Sequence, residues 1–396
     1  MTTNPAYPDF ESVSFLNDHI SKTLAFYEDR AVDPDGGFFH CFEDDGRIYD
    51  SELRHLVSSC RFVFNYALAF RKRGAQQHRD KALHGLEFLE NTHRQDNGAY
   101  AWQLRNGKVT HGEVMAYGHA FVMIASATAL EAGIAEARPT LNHIWNFMET
   151  QFWQPDHGAY ADERNADLSD LSPYRGQNAN MHSCEGCIAA FRATGETRYL
   201  DRAEALAYKF TMELSDKTGG LIWEHYDANW APDHDYHKDK PNDLFKPWGI
   251  QPGHLVEWAR LLLTLDQIRP QKWYLVRAIA LFGAAMEHGR DQELGGLIYG
   301  FAPNGTPCAR EKYYWVNSEA AATAWRLFQR TGEETYRQNY HEIWCYAWDH
   351  LIDHEHGAWF RVLTPEGNKI DNQKSPPGKT DYHTLGVCWD ILSAKA

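Results

Sequence analysis

The chain has 396 residues, 43% of them hydrophobic and 14% aromatic, with 39 Lys+Arg against 54 Asp+Glu for a formal net charge of −15. That composition excludes a disordered or fibrous protein, and the acidic balance argues against a phosphate backbone or an anionic membrane surface as the main partner. A length near 400 residues exceeds the usual single core, so either several domains or one long closed repeat is expected.

The opening segment, MTTNPAYPDFESVSF, lacks a basic stretch followed by an apolar one, and no later segment approaches 18 uncharged apolar residues, so the expected location is the cytoplasm. Seven cysteines (Cys41, Cys60, Cys184, Cys187, Cys308, Cys345, Cys388) form an odd, sparse set, for which reduced thiols are the simpler reading.

The first helical pattern, ESVSFLNDHISKTLAFYEDRA, runs into DPDGGFFH at 33–40, and a related phrase then returns five times: QDNGAYAW, PDHGAYAD, KTGGLIWE, ELGGLIYG and HEHGAWFR. Its last glycines are Gly37, Gly98, Gly158, Gly220, Gly296 and Gly357, separated by 61, 60, 62, 76 and 61 residues. Each phrase reads as a polar turn with glycine at positive φ, followed by a short β-like segment. Between the phrases, HLVSSCRFVFNYALAFRKRG, RDKALHGLEFLENTHR, AYGHAFVMIASATALEAG and ARPTLNHIWNFMETQFW carry apolar residues three and four apart, two helices per repeat. Several second helices of these pairs are expected to end at a glycine signal, as in FRKRGAQQ, LEAGIAE, RATGETRYLD and QRTGEETYRQ. Six helix hairpins predict an all-α (α/α)6 barrel with short β-like segments in its repeat loops, one domain over residues 1–396. The single long step, holding HYDANWAPDHDYHKDKPNDLF, predicts a long loop positioned over a site.

Polar residues entering these helices are the candidate chemistry. In YRGQNANMHSCEG (174–186), Asn178, Asn180, His182 and Glu185 suit sugar hydroxyls, though Asn178 and Asn180 equally suit helix capping and His182 a satisfied core position. In KPWGIQPGHLVEWARLL, His254 and Glu257 lie three apart on one helix face, either as a proton-transfer histidine with its carboxylate or as a surface pair. His383, in KTDYHTLGVCWDIL, begins the last apolar helix, which a closed ring returns beside the first, toward Arg61 and His254. Tyr117 and His119 in AYGHAF, and Trp315 and Glu319 in YYWVNSEAAATAW, complete the set, with Trp315 equally readable as core. Cys184 and Cys187 form a CxxC inside a helical run, which points to core packing. No HExxH, paired Cys/His cluster, GxGxxG or P-loop occurs, so no metal and no nucleotide cofactor is expected.

With RGQNANMH, PGHLVEWARL and the terminal DYH together, the chain resembles, nearly end to end, the N-acylglucosamine 2-epimerase superfamily, and within it the YihS-type aldose–ketose isomerases and bacterial mannose isomerases. The resemblance implies an (α/α)6 barrel acting on a monosaccharide without cofactor, as monomer or homo-oligomer. It implies His254 and His383 as the acid/base pair, and sugar contacts from Arg61, Tyr117, Asn178, His182, Glu257, Trp315 and Glu319. Three positions depart from the YihS pattern: Val57 for a tryptophan, Lys379 for a glutamine, and Leu244-Phe245 for an Arg-Phe pair. They argue against a sulfonated sugar and fit mannose better.

The chemistry then expected is interconversion of D-mannose and D-fructose, with D-lyxose and D-xylulose as further substrates, through a cis-enediol. His383 moves the C2 proton to C1; His254, oriented by Glu257, assists ring opening or the O1/O2 proton, and Arg61 and Asn178 stabilise the oxyanion; the two histidines could exchange parts. The alternatives are C2 epimerisation by the same pair and glycoside hydrolysis by a carboxylate pair such as Asp162 with Glu224 or Glu257. A sugar- or protein-binding module without activity is a third.

Overall fold

The computed structural model describes residues 7–395. Six outer helices, α1 (Val13–Glu28), α3 (Gln76–Phe88), α5 (Arg138–Gln151), α7 (Thr197–Tyr208), α9 (Lys272–Gly289) and α11 (Glu334–Tyr346), alternate along the chain with six inner ones. The inner helices are α2 (Leu56–Arg73), α4 (Ala116–Glu131), α6 (Gln177–Thr194), α8 (Pro252–Ile268), α10 (Tyr314–Thr331) and α12 (Tyr382–Lys395). Each inner helix from α2 to α10 packs on the outer helix that follows it and on its inner neighbours. The ring closes where α12 packs against α2, α10 and α1, so the first and last helices make the sixth hairpin. This is the (α/α)6 barrel expected from the repeat.

The two layers differ in sequence because they differ in what they touch. Inner helices are buried nearly all round, as in α4, where Gly118–Ala129 is an unbroken buried run, whereas outer helices bury one stripe, as in α7 (Tyr199, Leu200, Ala203, Leu206, Ala207). Gly74, Gly195 and Gly332 take the left-handed conformation, but they end α2, α6 and α10, the first helix of each pair and not the second, because the tight inner-to-outer turn follows the inner helix directly.

The six repeat glycines all have positive φ, from 67° to 87°. At Gly37 and Gly296 a Cβ would also strike the ring of Phe88 or Tyr346 on the adjoining outer helix, at 2.7 and 2.5 Å. The fourth residue of an inner helix often holds the preceding turn in place. His119 Nε2 accepts from the Tyr100 amide (3.0 Å), Asn180 Oδ1 from the Tyr160 amide (2.8 Å) and Asn317 Oδ1 from the Leu297 amide (3.1 Å). His119 and Asn180 are therefore structural clasps rather than sugar ligands. All seven cysteines are free, and Cys184 and Cys187 are buried in α6. No helix among the described residues is long and apolar enough to cross a membrane.

Candidate active site

One cavity opens at the end of the barrel where the inner helices begin. Its wall holds Arg61 from α2, Tyr117 from α4, Asn178 and His182 from α6, His254 and Glu257 from α8, Trp315 from α10 and His383 from α12. Sequence reasoning named all eight. The long loop after the fourth repeat lays Leu244 and Phe245 over the cavity, as expected, and Pro376–Lys379 closes another side. Phe245 stacks on His55 (5.8 Å between ring centres, 4° between planes), and Tyr299 Oη donates to the Asp243 carbonyl (3.0 Å), fixing the loop from below. Of the positions that depart from the YihS pattern, Leu244, Phe245 and Lys379 line the cavity, whereas Val57 is a fully buried core residue.

Both histidines are anchored from behind by buried carboxylates. His254 Nδ1 lies 2.8 Å from Glu224 Oε1. A carboxylate only accepts, so Nδ1 carries the proton and Nε2 is left free. Gln177 completes this cluster: the Trp258 indole donates to its Oε1 (2.8 Å), which turns its amide nitrogen toward Glu224 Oε2 (3.0 Å), to which it donates, and sets that nitrogen beside His254 Nδ1 (2.9 Å), so the two donors share the Glu224 carboxylate. His383 repeats the design, with Nδ1 2.8 Å from Glu319 Oε1, while Nε2 faces Arg61 Nη2 at 3.4 Å. Burial, reinforced by the Arg61 charge, pushes the His383 pKa well below the ordinary range, so this ring stands neutral with its Nε2 lone pair at the cavity wall, facing Arg61.

Two expectations are corrected by this geometry. Glu257 does not orient His254; that partner is Glu224, which follows a repeat glycine by four residues, the place Asp162 occupies one repeat earlier. Glu319 does not line the cavity but stands behind His383, accepting from Arg260 Nε through its second oxygen (2.7 Å). The reason is the helix rise of about 1.5 Å per residue: His254, Glu257 and Arg260 descend one face of α8, so only the first reaches the mouth.

Trp315 spans the two histidines, its ring centre 5.2 Å from that of His254 and 5.6 Å from that of His383, tilted 37° and 35°. Arg61 is clamped between the rings of Phe121 (4.5 Å) and Tyr382 (4.8 Å) and donates to the Gly378 carbonyl. Tyr117 meets His182 edge to face at 5.3 Å, and His182 Nδ1 donates to Glu185 Oε2 at 3.0 Å. The result is aromatic surface interrupted by a few directed polar groups, the make-up of a small-molecule site.

Deeper in the barrel, two sets of side chains, His182–Glu185–Glu257 and Glu257–Glu319–His383, bring their possible ligand atoms within 4.8 Å of one another. These residues could hold a cation, but Arg260 already reaches Glu319 at 2.7 Å and Glu185 at 3.3 Å. Two of the three carboxylates suggested for hydrolysis are committed elsewhere: Asp162 Oδ2 accepts from the Gly176 amide (2.6 Å), and Glu224 serves His254, which leaves Glu257 without the second carboxylate of a hydrolytic pair.

Comparison with known proteins places the chain in a family. Residues 37–387 match the family model described as N-acylglucosamine 2-epimerase. The chain is 46% identical to a D-mannose isomerase of Marinomonas mediterranea over 98% of both chains. Among solved structures, a D-mannose isomerase superposes with a TM-score of 0.97, covering 98% of this chain and 100% of that one at 46% identity. A cellobiose 2-epimerase of Spirochaeta thermophila, at 22% identity and a TM-score of 0.83 over 98% of each chain, shares the fold. The chain belongs to the N-acylglucosamine 2-epimerase family.

Proposed function

We propose that the protein is an aldose–ketose isomerase that interconverts D-mannose and D-fructose, with residues 1–396 acting as one catalytic domain in the cytoplasm. The observation that carries this reading is the pair of carboxylate-anchored histidines set on one aromatic cavity around Trp315. The D-mannose isomerase relative, alike over nearly the whole of both chains, supports mannose as the substrate.

In this reading the sugar enters beneath Phe245 and rests on Trp315. His254, with Nδ1–H held by Glu224, presents Nε2 to the ring oxygen or anomeric hydroxyl and assists ring opening. His383 Nε2 then takes the C2 proton of the open aldose, and the electron pair of the broken C–H bond forms the C1–C2 double bond of a cis-enediol. The same nitrogen returns the proton to C1. Glu319 steadies the imidazolium formed in between, and Arg61, held next to His383 Nε2, stabilises charge on the sugar oxygens. Tyr117, Asn178, His182 and Glu257 provide the remaining polar wall.

Incubating the purified protein with D-mannose and resolving the hexoses by chromatography tests the assignment. D-Fructose as the product supports it; D-glucose in its place would identify a 2-epimerase, and an unchanged sugar would remove the reading.

A further inference from the structure

Three carboxylates, Glu185, Glu257 and Glu319, meet one guanidinium in the barrel interior. Arg260 is used by two of them, at 3.3 Å to Glu185 and 2.7 Å to Glu319, and stands 3.7 Å from Glu257. Glu185 also accepts from His182 and Glu319 from His383. Glu257 alone has no hydrogen-bond partner at either oxygen, although its side chain is only 1% exposed and lines the sugar cavity. An ionised carboxylate left so would bear a desolvation cost that Arg260, 3.7 Å away and already shared by two other carboxylates, offsets only in part.

We propose that Glu257 is a neutral carboxylic acid in the free enzyme and shuttles the hydroxyl proton between O1 and O2 of the sugar. Burial, with the charges of Glu319 and Glu185 adding to it, pushes its carboxyl well above the usual range. The inference rests on the isomerase reading and supplies a step that the histidines leave open. When an aldose becomes a ketose, O1 must gain a proton and O2 must lose one, in addition to the carbon-bound proton that moves from C2 to C1. A carboxyl group with both oxygens free does this in one place: its O–H donates to O1 as the carbonyl π pair moves onto O1, and its other oxygen accepts the proton of O2 as that oxygen's pair forms the new C2 carbonyl. The group ends neutral, and no outside acid or base is consumed. His254 is then left to ring opening, consistent with its anchoring by Glu224 instead of Glu257.

The test compares wild type with Glu257→Gln, which keeps one donor and one acceptor but cannot pass a proton on. For the variant, kcat for D-mannose should fall about 100-fold or more, while KM stays within a few-fold and C2–H exchange in D2O declines less than turnover. Near wild-type kcat in Glu257→Gln would overturn the shuttle while leaving the isomerase reading intact; no fructose from wild type would instead remove that reading. If Glu257→Gln does not fold, Glu257→Ala in formate buffer takes its place, with recovery of turnover by formate expected and full activity without formate contradictory. Loss of wild-type activity in EDTA, restored by Mg2+ or Mn2+, would show that the two oxygens hold a cation rather than a proton and would also overturn the proposal.

Discussion

Gly253 and Trp315 are fitted to each other: a Cβ at position 253 would fall 2.3 Å from the Trp315 ring, well inside van der Waals contact. The glycine at the start of α8 is thus what lets the indole lie across both histidines. Gly253→Ala must displace Trp315 and, with it, the surface on which the sugar rests. Since misplacement by about 1 Å can cost about 100-fold in rate, kcat/KM for mannose is expected to fall by about 10- to 100-fold with the far-UV circular dichroism unchanged. Steady-state kinetics on the folded variant checks this, and wild-type kcat/KM would show that Trp315 has no positional role.

The His254–Glu224 pair gives a second prediction. Glu224→Gln retains the shape but exchanges an acceptor-only group for an amide that can donate to Nδ1, which favours the wrong imidazole tautomer. A loss in kcat of about 10²-fold or more is expected. Ring opening can be supplied in solution, so the loss should shrink for substrates with a larger open-chain fraction. Equal losses for all sugars would place His254 in the C–H step.

The pH dependence follows from His383. Its base form is the active one, and burial together with Arg61 lowers its pKa well below the ordinary value of about 6.5. As pH falls through 6.5 the ring therefore stays neutral, and protonation sets in only at lower pH. In a profile of kcat/KM against pH, the acid limb assigned to His383 should lie below 6.5. Arg61→Met should move that limb upward, because removing the cation removes one of the causes of the depression; a limb that does not move would argue against the coupling.

Stability carries its own signature at Asp162, whose carboxyl burial pushes up to about 8. A folded-state pKa raised above the unfolded value of about 3.9 means that the protonated form is favoured in the fold. This contribution is complete below about pH 4 and is lost as pH rises toward 8. Asp162→Asn removes the titration while keeping an acceptor for the Gly176 amide. Its Tm relative to wild type should rise steadily between pH 4 and 8, by the equivalent of more than about 1 kcal/mol, as measured by calorimetry. A constant difference across that range would contradict the assignment.

Much of this molecule can be read from its sequence because its repeat is local. Positive-φ glycines, helical periodicity and left-handed caps at Gly74, Gly195 and Gly332 are each set within a few residues, and together they announce six hairpins. His254 and His383 stand out because each is a polar residue starting an apolar inner helix. Contacts distant in sequence are less legible. Glu224 precedes His254 by 30 residues, on the other side of the long loop of the same repeat, and only its place four residues after a repeat glycine, shared with Asp162, hinted that it points inward. Glu257 looked like the natural partner by spacing, yet the helix rise carries it a turn deeper, toward Arg260. His119 and Asn180 mimic site residues in sequence because a clasp on a backbone amide needs the same buried polar groups as a sugar contact.

The central claim is that one proton travels between C2 and C1 through His383. The most direct measurement supplies D-[2-2H]mannose to the enzyme in H2O and locates deuterium in the products by NMR, for wild type and His383→Ala. The account predicts D-fructose with deuterium at C1, diluted to the extent that the imidazole exchanges with water, and no conversion by the folded His383→Ala variant. Glucose that has lost its C2 deuterium as the sole product, or substantial fructose from His383→Ala, would contradict it.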